Sequence, residues 1–313
     1  MVSWLLKAVV QRGVGALPYR HFWNGLLQDW VTHSTRLTDE IFLENLHNCE
    51  VHLANLRRYN PSTGTNFSAF ELGTGWFPVV PIGLFVCGAR EVWTWDIVPL
   101  LTLDRLKGVI ARFLDYEHSQ LMKHHLDGLP GRLMLLRQAM ESCNSPGSKP
   151  GQVLERLNIH YRIGNASRTG LPPASVDLIV SDVVLEHPSP TELSGMLREF
   201  RRIAAAEAVM SHSIALDDQY SGRDPRITQF NFLRFSDQMW RWLNNPIIPL
   251  NRLRISDYRH LFNESGFQIV EEISRRGDPA ELAQVPLAER FRRYSTDDLL
   301  VTYTRLVATL RKS

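Results

Sequence analysis

The chain has 313 residues, which is enough for one large domain with elaborations or for two small domains. Apolar residues make up 44% of it and charged residues 22%, and the formal net charge of +2 is too small to indicate a nucleic-acid partner. No apolar run approaches the ~20 residues of a membrane span and the N-terminus lacks the apolar core of a signal peptide, so we expect a cytoplasmic protein with no membrane partner.

Helical patterns dominate the first sixty residues. Thr38 is followed by the acidic pair Asp39 and Glu40, which is typical of a capped helix start, and apolar residues then recur at helical spacing. We therefore predict an N-terminal helical cap over residues 1–60, followed by a second domain over residues 61–313.

From residue 67 the pattern changes to short apolar strands that alternate with helices. The spacing predicts strands at 67–72, 91–96, 158–163, 176–181, 206–214, 267–274 and 298–306. It predicts helices at 78–87, 190–203 and 256–265. This alternation indicates an α/β fold, in which a mainly parallel sheet is covered by helices on both faces.

Two stretches do not follow the alternation. Residues 105–157 contain helical patterns and a breaker-rich segment, and we predict a helical insertion there. Residues 217–252 carry aromatic, proline and charged residues without a simple period. This second stretch follows the fifth predicted strand, at the edge where open sheets bind ligands. We therefore predict that it forms a lid over a substrate site.

The strongest local signal is the run Glu71-Leu72-Gly73-Thr74-Gly75, where a strand ends, two glycines turn the chain and a helix begins. Glycines let the backbone approach a ligand closely, and a helix start supplies free N–H groups to an anion. Asp96 follows at the end of the next predicted strand. A carboxylate there can accept hydrogen bonds from both hydroxyls of a ribose, as in nicotinamide enzymes and in methyltransferases alike.

Further blocks favour one of these two classes. Gly164-Asn165-Ala166 follows the third strand, and the fourth strand leads into the turn Leu185-Glu186-His187. With the glycine loop and Asp96, they make residues 67–306 resemble the class I S-adenosylmethionine-dependent methyltransferases, of the small-molecule, type 11-like kind. The resemblance implies a Rossmann-like, seven-stranded, mainly parallel sheet with S-adenosyl-L-methionine as cofactor. A dehydrogenase does not fit these blocks.

The resemblance also implies the residues that contact the cofactor, namely Glu71, Gly73, Gly75, Asp96, Ile97, Asn165, Ala166, Ser181 and Asp182. The glycine-loop residues would border the methionine part of the cofactor. Asp96 would bind the ribose, Ile97 would cover the adenine, and Asn165 and Ala166 would face the adenine edge. The last two residues of the set would end the fourth strand under the sulfonium, facing the substrate.

The glycine loop departs from the family pattern at its end. Trp76 and Phe77 stand where a third glycine is usual, so we expect a bulkier and less open loop. At the adenine edge, Asn165 replaces the usual acid, and its amide oxygen can still accept a hydrogen bond from the adenine amino group.

Methyl transfer from a sulfonium is an in-line displacement, and a base is needed only if the acceptor atom carries a proton of high pKa. His187 and His212 are the candidate bases, since both should lie at the carboxyl edge of the sheet. His212, Asp217 and Asp218 are loosely spaced, and we predict no metal site.

The sequence therefore predicts a methyltransferase acting on an oxygen or nitrogen atom, or a carbon atom, of a small molecule. One alternative is an RNA or protein methyltransferase, in which residues 105–157 or 217–252 grip the polymer. Another is a non-catalytic scaffold that keeps the fold. A nucleic-acid partner is not expected from the charge balance, and the sequence leaves the acceptor and the oligomeric state open.

Overall fold

A seven-stranded sheet forms the centre of the protein in the computed structural model, which describes residues 36–118, 129–222, 224–244 and 248–311. The strands are β1 (Ser68–Leu72), β2 (Glu91–Asp96), β3 (Ile159–Ile163), β4 (Val176–Asp182), β5 (Ala204–Ala215), β6 (Phe267–Arg276) and β7 (Val301–Leu310). Their order across the sheet is β3-β2-β1-β4-β5-β7-β6. Strands β1 to β5 are parallel, and β7 runs antiparallel to both of its neighbours. The predicted seven-stranded, mainly parallel, Rossmann-like sheet is confirmed.

Helices lie on both faces of this sheet. They are α1 (Asp39–Tyr59), α2 (Val79–Val86), α3 (Leu103–His118), α4 (Pro130–Cys143), α5 (Pro150–Glu155), α6 (Pro190–Ile203), α7 (Asp237–Leu243), α8 (Ile255–Glu264), α9 (Pro279–Ala283) and α10 (Thr296–Leu300). None of the helices within the described ranges is long and apolar enough to cross a membrane. The first 35 residues of the predicted N-terminal cap, and residues 119–128 of the predicted insertion, lie outside the described part of the chain.

Each face of the sheet has its own apolar core, because successive residues of a strand point to opposite faces. Leu178 and Val180 of β4 pack on the face that α1 to α5 cover, where the rings of Phe42 and Phe113 meet edge to face. Ile179, between them in sequence, packs on the opposite face, against residues of α6 and α8. The helices between β2 and β3 are thus part of the first core.

The 217–252 stretch packs its aromatic residues into a third cluster, together with the chain that precedes β7. Members from the two segments are Phe230, Phe232, Leu233, Trp240, Leu250, Leu282, Phe291, Leu299 and Leu300. The predicted strand at 298–306 is wrong at its start, because residues 296–300 form α10. The Ser295 hydroxyl accepts a hydrogen bond from the Asp298 N–H and caps this helix, whose Leu299 and Leu300 join the third cluster.

Helix α6 begins with a capping box that fixes its position on the sheet. The Ser189 hydroxyl accepts from the Glu192 N–H, and the Glu192 carboxylate accepts from the Ser189 N–H at 2.8 Å. We predict that Ser189→Ala lowers the free energy of unfolding by about 1 kcal/mol, because the Glu192 N–H loses its partner and the Glu192 carboxylate loses the Ser189 hydroxyl.

Urea denaturation measures this change. Ser194→Ala is the matched control, since the Ser194 hydroxyl donates to a carbonyl within the same helix and caps nothing. Equal midpoints for the two variants would contradict the prediction.

Candidate functional site

The glycine loop between β1 and α2 approaches the turn after β4 very closely. Gly73 and Gly75 have φ angles of +90° and +63°, in the left-handed region that only glycine adopts without strain. The Gly73 N–H donates to the carbonyl of Trp95 at 2.7 Å, and a Cβ at Gly73 would overlap the side chain of Val184. Any side chain at position 73 would therefore have to push the Val184 side chain aside.

Asp96 connects this loop to the loop after β2. Its Oδ2 accepts a hydrogen bond from the Gly75 N–H at 2.9 Å, and its Oδ1 accepts from the Val98 N–H at 3.1 Å. Each carboxylate oxygen has a second lone pair, so the group can accept further hydrogen bonds. Ile97, next in sequence, has a side chain that is 74% exposed.

The third predicted block lies beside the end of β2. The Gly164 N–H donates to the Asp96 carbonyl at 2.9 Å. Asn165 is exposed and its Oδ1 accepts from the Ser167 N–H, whereas Ala166 is buried in the second core. The buried indole N–H of Trp95 has no hydrogen-bond partner among the described residues and lies beside Gly164.

The start of α2 offers fewer N–H donors to an anion than we expected. Pro78 and Pro81 have no N–H group. The N–H groups of Gly73 and Gly75 bind Trp95 and Asp96 as described above, and that of Val79 donates to the Phe77 carbonyl at 2.8 Å. The chain itself thus uses donors that would otherwise face a ligand carboxylate or phosphate.

Trp76 makes the loop bulky, as the sequence indicates, but its ring lies toward α3. The Arg105 guanidinium stands over the Trp76 ring, 4.2 Å from its centroid, and donates to the Leu100 carbonyl at 2.8 Å. Phe77 packs against the first core. The two residues therefore join the glycine loop to the segment that follows β2.

Glu71, the acid that opens the loop, is buried on the face that α1 covers. Burial raises the pKa of its carboxyl to about 8, and the negative charges of Asp182 and Asp96 add to this. The hydroxyl of Thr94 donates to Glu71 Oε2 and opposes the shift without reversing it. At neutral pH the Glu71 carboxyl is therefore mostly protonated.

Asp182, at the carboxyl end of β4, is ionised, in contrast to Glu71. Its Oδ2 lies 3.0 Å from His52 Nε2 of α1, and its Oδ1 accepts from the Ser213 hydroxyl at 2.9 Å. Burial alone would raise the pKa of Asp182, but the His52 imidazole and the Ser213 hydroxyl outweigh it, so the pKa lies below its ordinary value. Asp182 is thus a mostly buried carboxylate held by polar partners.

A chain of hydrogen bonds orients His52. The Ser211 Oγ accepts from the Asn55 amide at 2.9 Å and lies 2.7 Å from His52 Nδ1. If Ser211 donates to Nδ1, the ring proton is on Nε2, facing Asp182. The sequence analysis did not identify His52, Asn55 and Ser211. The one sequence feature that points to them is that His52 and Asn55 are polar residues on the otherwise apolar, core-facing side of α1.

Ser181 and His212 lie on the other face of the sheet, which corrects two expectations. Ser181 Oγ is 2.8 Å from His212 Nδ1, and both residues are buried in the core, where the imidazole stacks on Phe200. Burial lowers the pKa of His212 to about 3. The side chains alternate along β4 and β5, so when Asp182 and Ser213 face α1, these two residues point away from it. Neither lies at the open edge, where we expected to find both.

His187 lies in the turn after β4, tied to the end of the 217–252 stretch. Its Nδ1 donates to the Pro249 carbonyl at 2.9 Å. Burial lowers the pKa of His187, and the carbonyls of Pro249 and Val183 oppose this. The imidazole is therefore neutral at pH 7.

Glu186, its neighbour, is fully buried. Neither of its carboxyl oxygens has a hydrogen-bond partner of good geometry in the described structure, and burial raises its pKa to about 8. The Glu186 carbonyl accepts from the Asn251 N–H at 2.8 Å, a second tie between this turn and the 217–252 stretch. Within the described ranges, no group of three His, Cys, Asp or Glu residues is arranged to hold a metal ion.

The structure therefore brings five of the predicted cofactor residues around the carboxyl ends of β1, β2 and β4, namely Glu71, Gly73, Gly75, Asp96 and Asp182. Ile97, Asn165 and Ala166 continue this row toward β3.

Comparison with known proteins gives the following. No protein-family model matches the chain, and no curated protein matches it. Among solved structures, the PH0226 protein of Pyrococcus horikoshii is similar over 94% of this chain and 100% of that one, at 12% identity and a TM-score of 0.49. An S-adenosylmethionine-dependent methyltransferase of Mesorhizobium loti is similar over 82% and 95%, at 16% identity and a TM-score of 0.42.

A geranyl diphosphate methyltransferase solved with its methyl donor is similar over 84% of this chain and 85% of that one, at 9% identity and a TM-score of 0.45. Sequence identities and TM-scores this low describe a similarity of fold and do not assign an activity to this chain. The Rossmann-like fold rests on the order and direction of the chain's own strands.

The raised pKa of Glu71 makes the stability of the protein depend on pH. The pKa of Glu71 in the folded protein, about 8, lies above the ordinary value of a glutamate. The protonated carboxyl therefore contributes fully to the stability of the folded protein below that ordinary value, and this contribution is lost as pH rises toward 8. We predict that Glu71→Gln flattens the fall in the free energy of unfolding between about pH 5 and pH 8, by about 1 kcal/mol per pH unit.

Urea denaturation at several pH values tests this, with the exposed Glu207 as Glu207→Gln for comparison. The Glu207 variant should follow the wild-type slope. Parallel curves for the wild type and Glu71→Gln would show that the Glu71 carboxyl is already ionised in the folded protein.

Proposed function

We propose that this chain is an S-adenosylmethionine-dependent methyltransferase, which transfers a methyl group to an oxygen or nitrogen atom, or a carbon atom, of a small molecule. The observation that carries the proposal is the hydrogen bond from the Gly75 N–H to Asp96 Oδ2, which joins the glycine loop to the acid after β2. The ionised Asp182 lies at the end of β4, two strands away from that acid.

The residues present fit the proposed cofactor. A Cβ built at Gly75 would meet no atom within 4 Å, so there is open space beside the loop. Asp96 retains lone pairs for two ribose hydroxyls, and the exposed Ile97 provides an apolar surface for an adenine. The unpartnered indole N–H of Trp95, beside Gly164, is a buried donor of the kind that a bound ligand satisfies.

In the proposed reaction, S-adenosylmethionine supplies a methyl group on a positively charged sulfur. Asp182 accepts a hydrogen bond from the N–H or O–H of the acceptor and so aims its lone pair at the methyl carbon. Held there, the donor would supply the methyl group by cleavage of its carbon–sulfur bond, and the acceptor proton would be released. The lowered pKa of Asp182 makes it a weak base, so the neutral His187 remains our candidate for taking that proton.

Two observations favour a small acceptor over a polymer. The aromatic residues Phe230, Phe232 and Trp240 of the 217–252 stretch are buried in the third cluster, so they are not free to stack on nucleobases. The end of that stretch is hydrogen-bonded to the turn after β4 through Asn251 and Pro249. We therefore propose that residues 217–252 act as a lid on a compact site.

Calorimetry with S-adenosylhomocysteine tests the cofactor assignment. We predict micromolar binding to the wild type and an affinity at least about tenfold lower for Asp96→Ala, because two hydrogen bonds to a charged group are lost. Asp104→Ala is the matched control, since Asp104 is an exposed acid in the first turn of the following helix.

The control should bind like the wild type. If the wild type does not bind at high micromolar ligand, the enzyme assignment fails and a non-catalytic scaffold is the better interpretation. If Asp96→Ala binds as tightly as the wild type, the cofactor does not use this acid.

A further inference from the structure

Val183, directly after Asp182, has a backbone conformation that its side chain disfavours. Its φ angle is +53°, in the left-handed region, where a β-branched residue is rare and strained. The side chain is 42% exposed, so burial does not compensate for the strain. Strained residues of this kind persist where a function requires them.

The turn itself requires the backbone conformation but not the valine. The Val183 N–H donates to the Ser213 carbonyl at 3.0 Å, and the next residue, Val184, closes onto Gly73. Glycine or asparagine would make the same turn with less strain, because both adopt positive φ more readily. An apolar branched side chain at position 183 therefore has to be explained by what it contacts.

Other positive-φ residues in the described chain have explanations that Val183 lacks. Arg252, at φ +58°, is buried, and its guanidinium donates to the carbonyls of Phe232 and Phe235. Asn158 is of a type that tolerates the conformation, and Ala174 is small and exposed on a loop. Val183 alone combines a branched side chain, exposure and a place at the carboxyl edge of the sheet.

We infer that the Val183 side chain is an apolar contact for the methyl acceptor, a specificity-determining residue that rests on the methyltransferase function proposed above. Asp182 accepts the N–H or O–H of the reacting group, and the adjacent Val183 packs against the carbon skeleton next to it. The acceptor class is then a small molecule whose amine or hydroxyl adjoins an apolar body. A fully polar acceptor such as ethanolamine would leave Val183 in water.

Two probes represent this class, 2-phenylethylamine and 4-ethylphenol, with ethanolamine as the polar counterpart. Saturation-transfer NMR titrations on the protein loaded with S-adenosylhomocysteine give a Kd for each probe. Val183→Gly and Val183→Asn remove the apolar contact and relieve the backbone, whereas Val183→Ile keeps both features. Ala174→Gly relieves a positive φ far from the sheet edge and serves as the matched control.

We expect at least one aromatic probe to bind the wild type more tightly than ethanolamine does. Its Kd should rise at least about fivefold in Val183→Gly and Val183→Asn, corresponding to the loss of roughly half a buried valine contact or more. Val183→Ile and Ala174→Gly should keep the wild-type Kd. The Tm of Val183→Asn should equal or exceed that of the wild type, because strain is relieved at a side chain that is largely exposed.

Three results would overturn the inference. They are failure of both aromatic probes to bind the loaded wild type, unchanged probe affinity in Val183→Gly, and a lower Tm in Val183→Asn. The last would show that valine is present for packing. S-adenosylhomocysteine affinity, measured on every variant, separates this outcome from failure of the proposed function, which would appear as lost cofactor binding in the wild type itself.

Discussion

The close approach of the glycine loop to the turn after β4 is the constraint on which the rest of the site depends. Gly73 lies against Val184, so position 73 can hold no side chain and the turn cannot move toward the loop. Asp182 and Val183 lie directly before Val184, at the end of β4. The chain turns sharply at Val183, whose N–H donates to the carbonyl of Ser213 on β5. The contact with Gly73 and the hydrogen bonds of Asp182 to His52 and Ser213 together hold this end of the strand.

Burial acts on the two carboxyls of this region in opposite ways, because their partners differ. Glu71 has a hydroxyl partner and nearby negative charges, so desolvation prevails and its pKa rises to about 8. Asp182 has an imidazole partner, and its pKa falls. Pairs of titratable groups whose environments push their pKa values apart are typical of sites that handle protons. Of these two carboxyls, Asp182 is therefore the ionised one at pH 7, and Glu71 is mostly protonated.

The sequence predicted the parts of this arrangement that depend on neighbours along the chain. Hydrophobic period located β2 and α6 to the residue, and the two glycines marked the loop, because backbone geometry limits that turn to glycine. His52 was missed since its partner Asp182 lies 130 residues away, and no local pattern encodes such a pairing. Sequence analysis placed Ser181 and Asp182 together at the end of β4, but it did not separate them, although one residue along a strand reverses the face to which a side chain points.

Hydrogen bonds also link the turn that contains Val183 to the 217–252 stretch. The Val183 carbonyl faces the imidazole of His187, whose Nδ1 donates to the Pro249 carbonyl. Asn251 donates to carbonyls in the same turn through both its backbone and its side chain. The turn is thus contacted on one side by Gly73 and on the other by Asn251. Asp182 and the exposed side chain of Val183 lie beside these contacts.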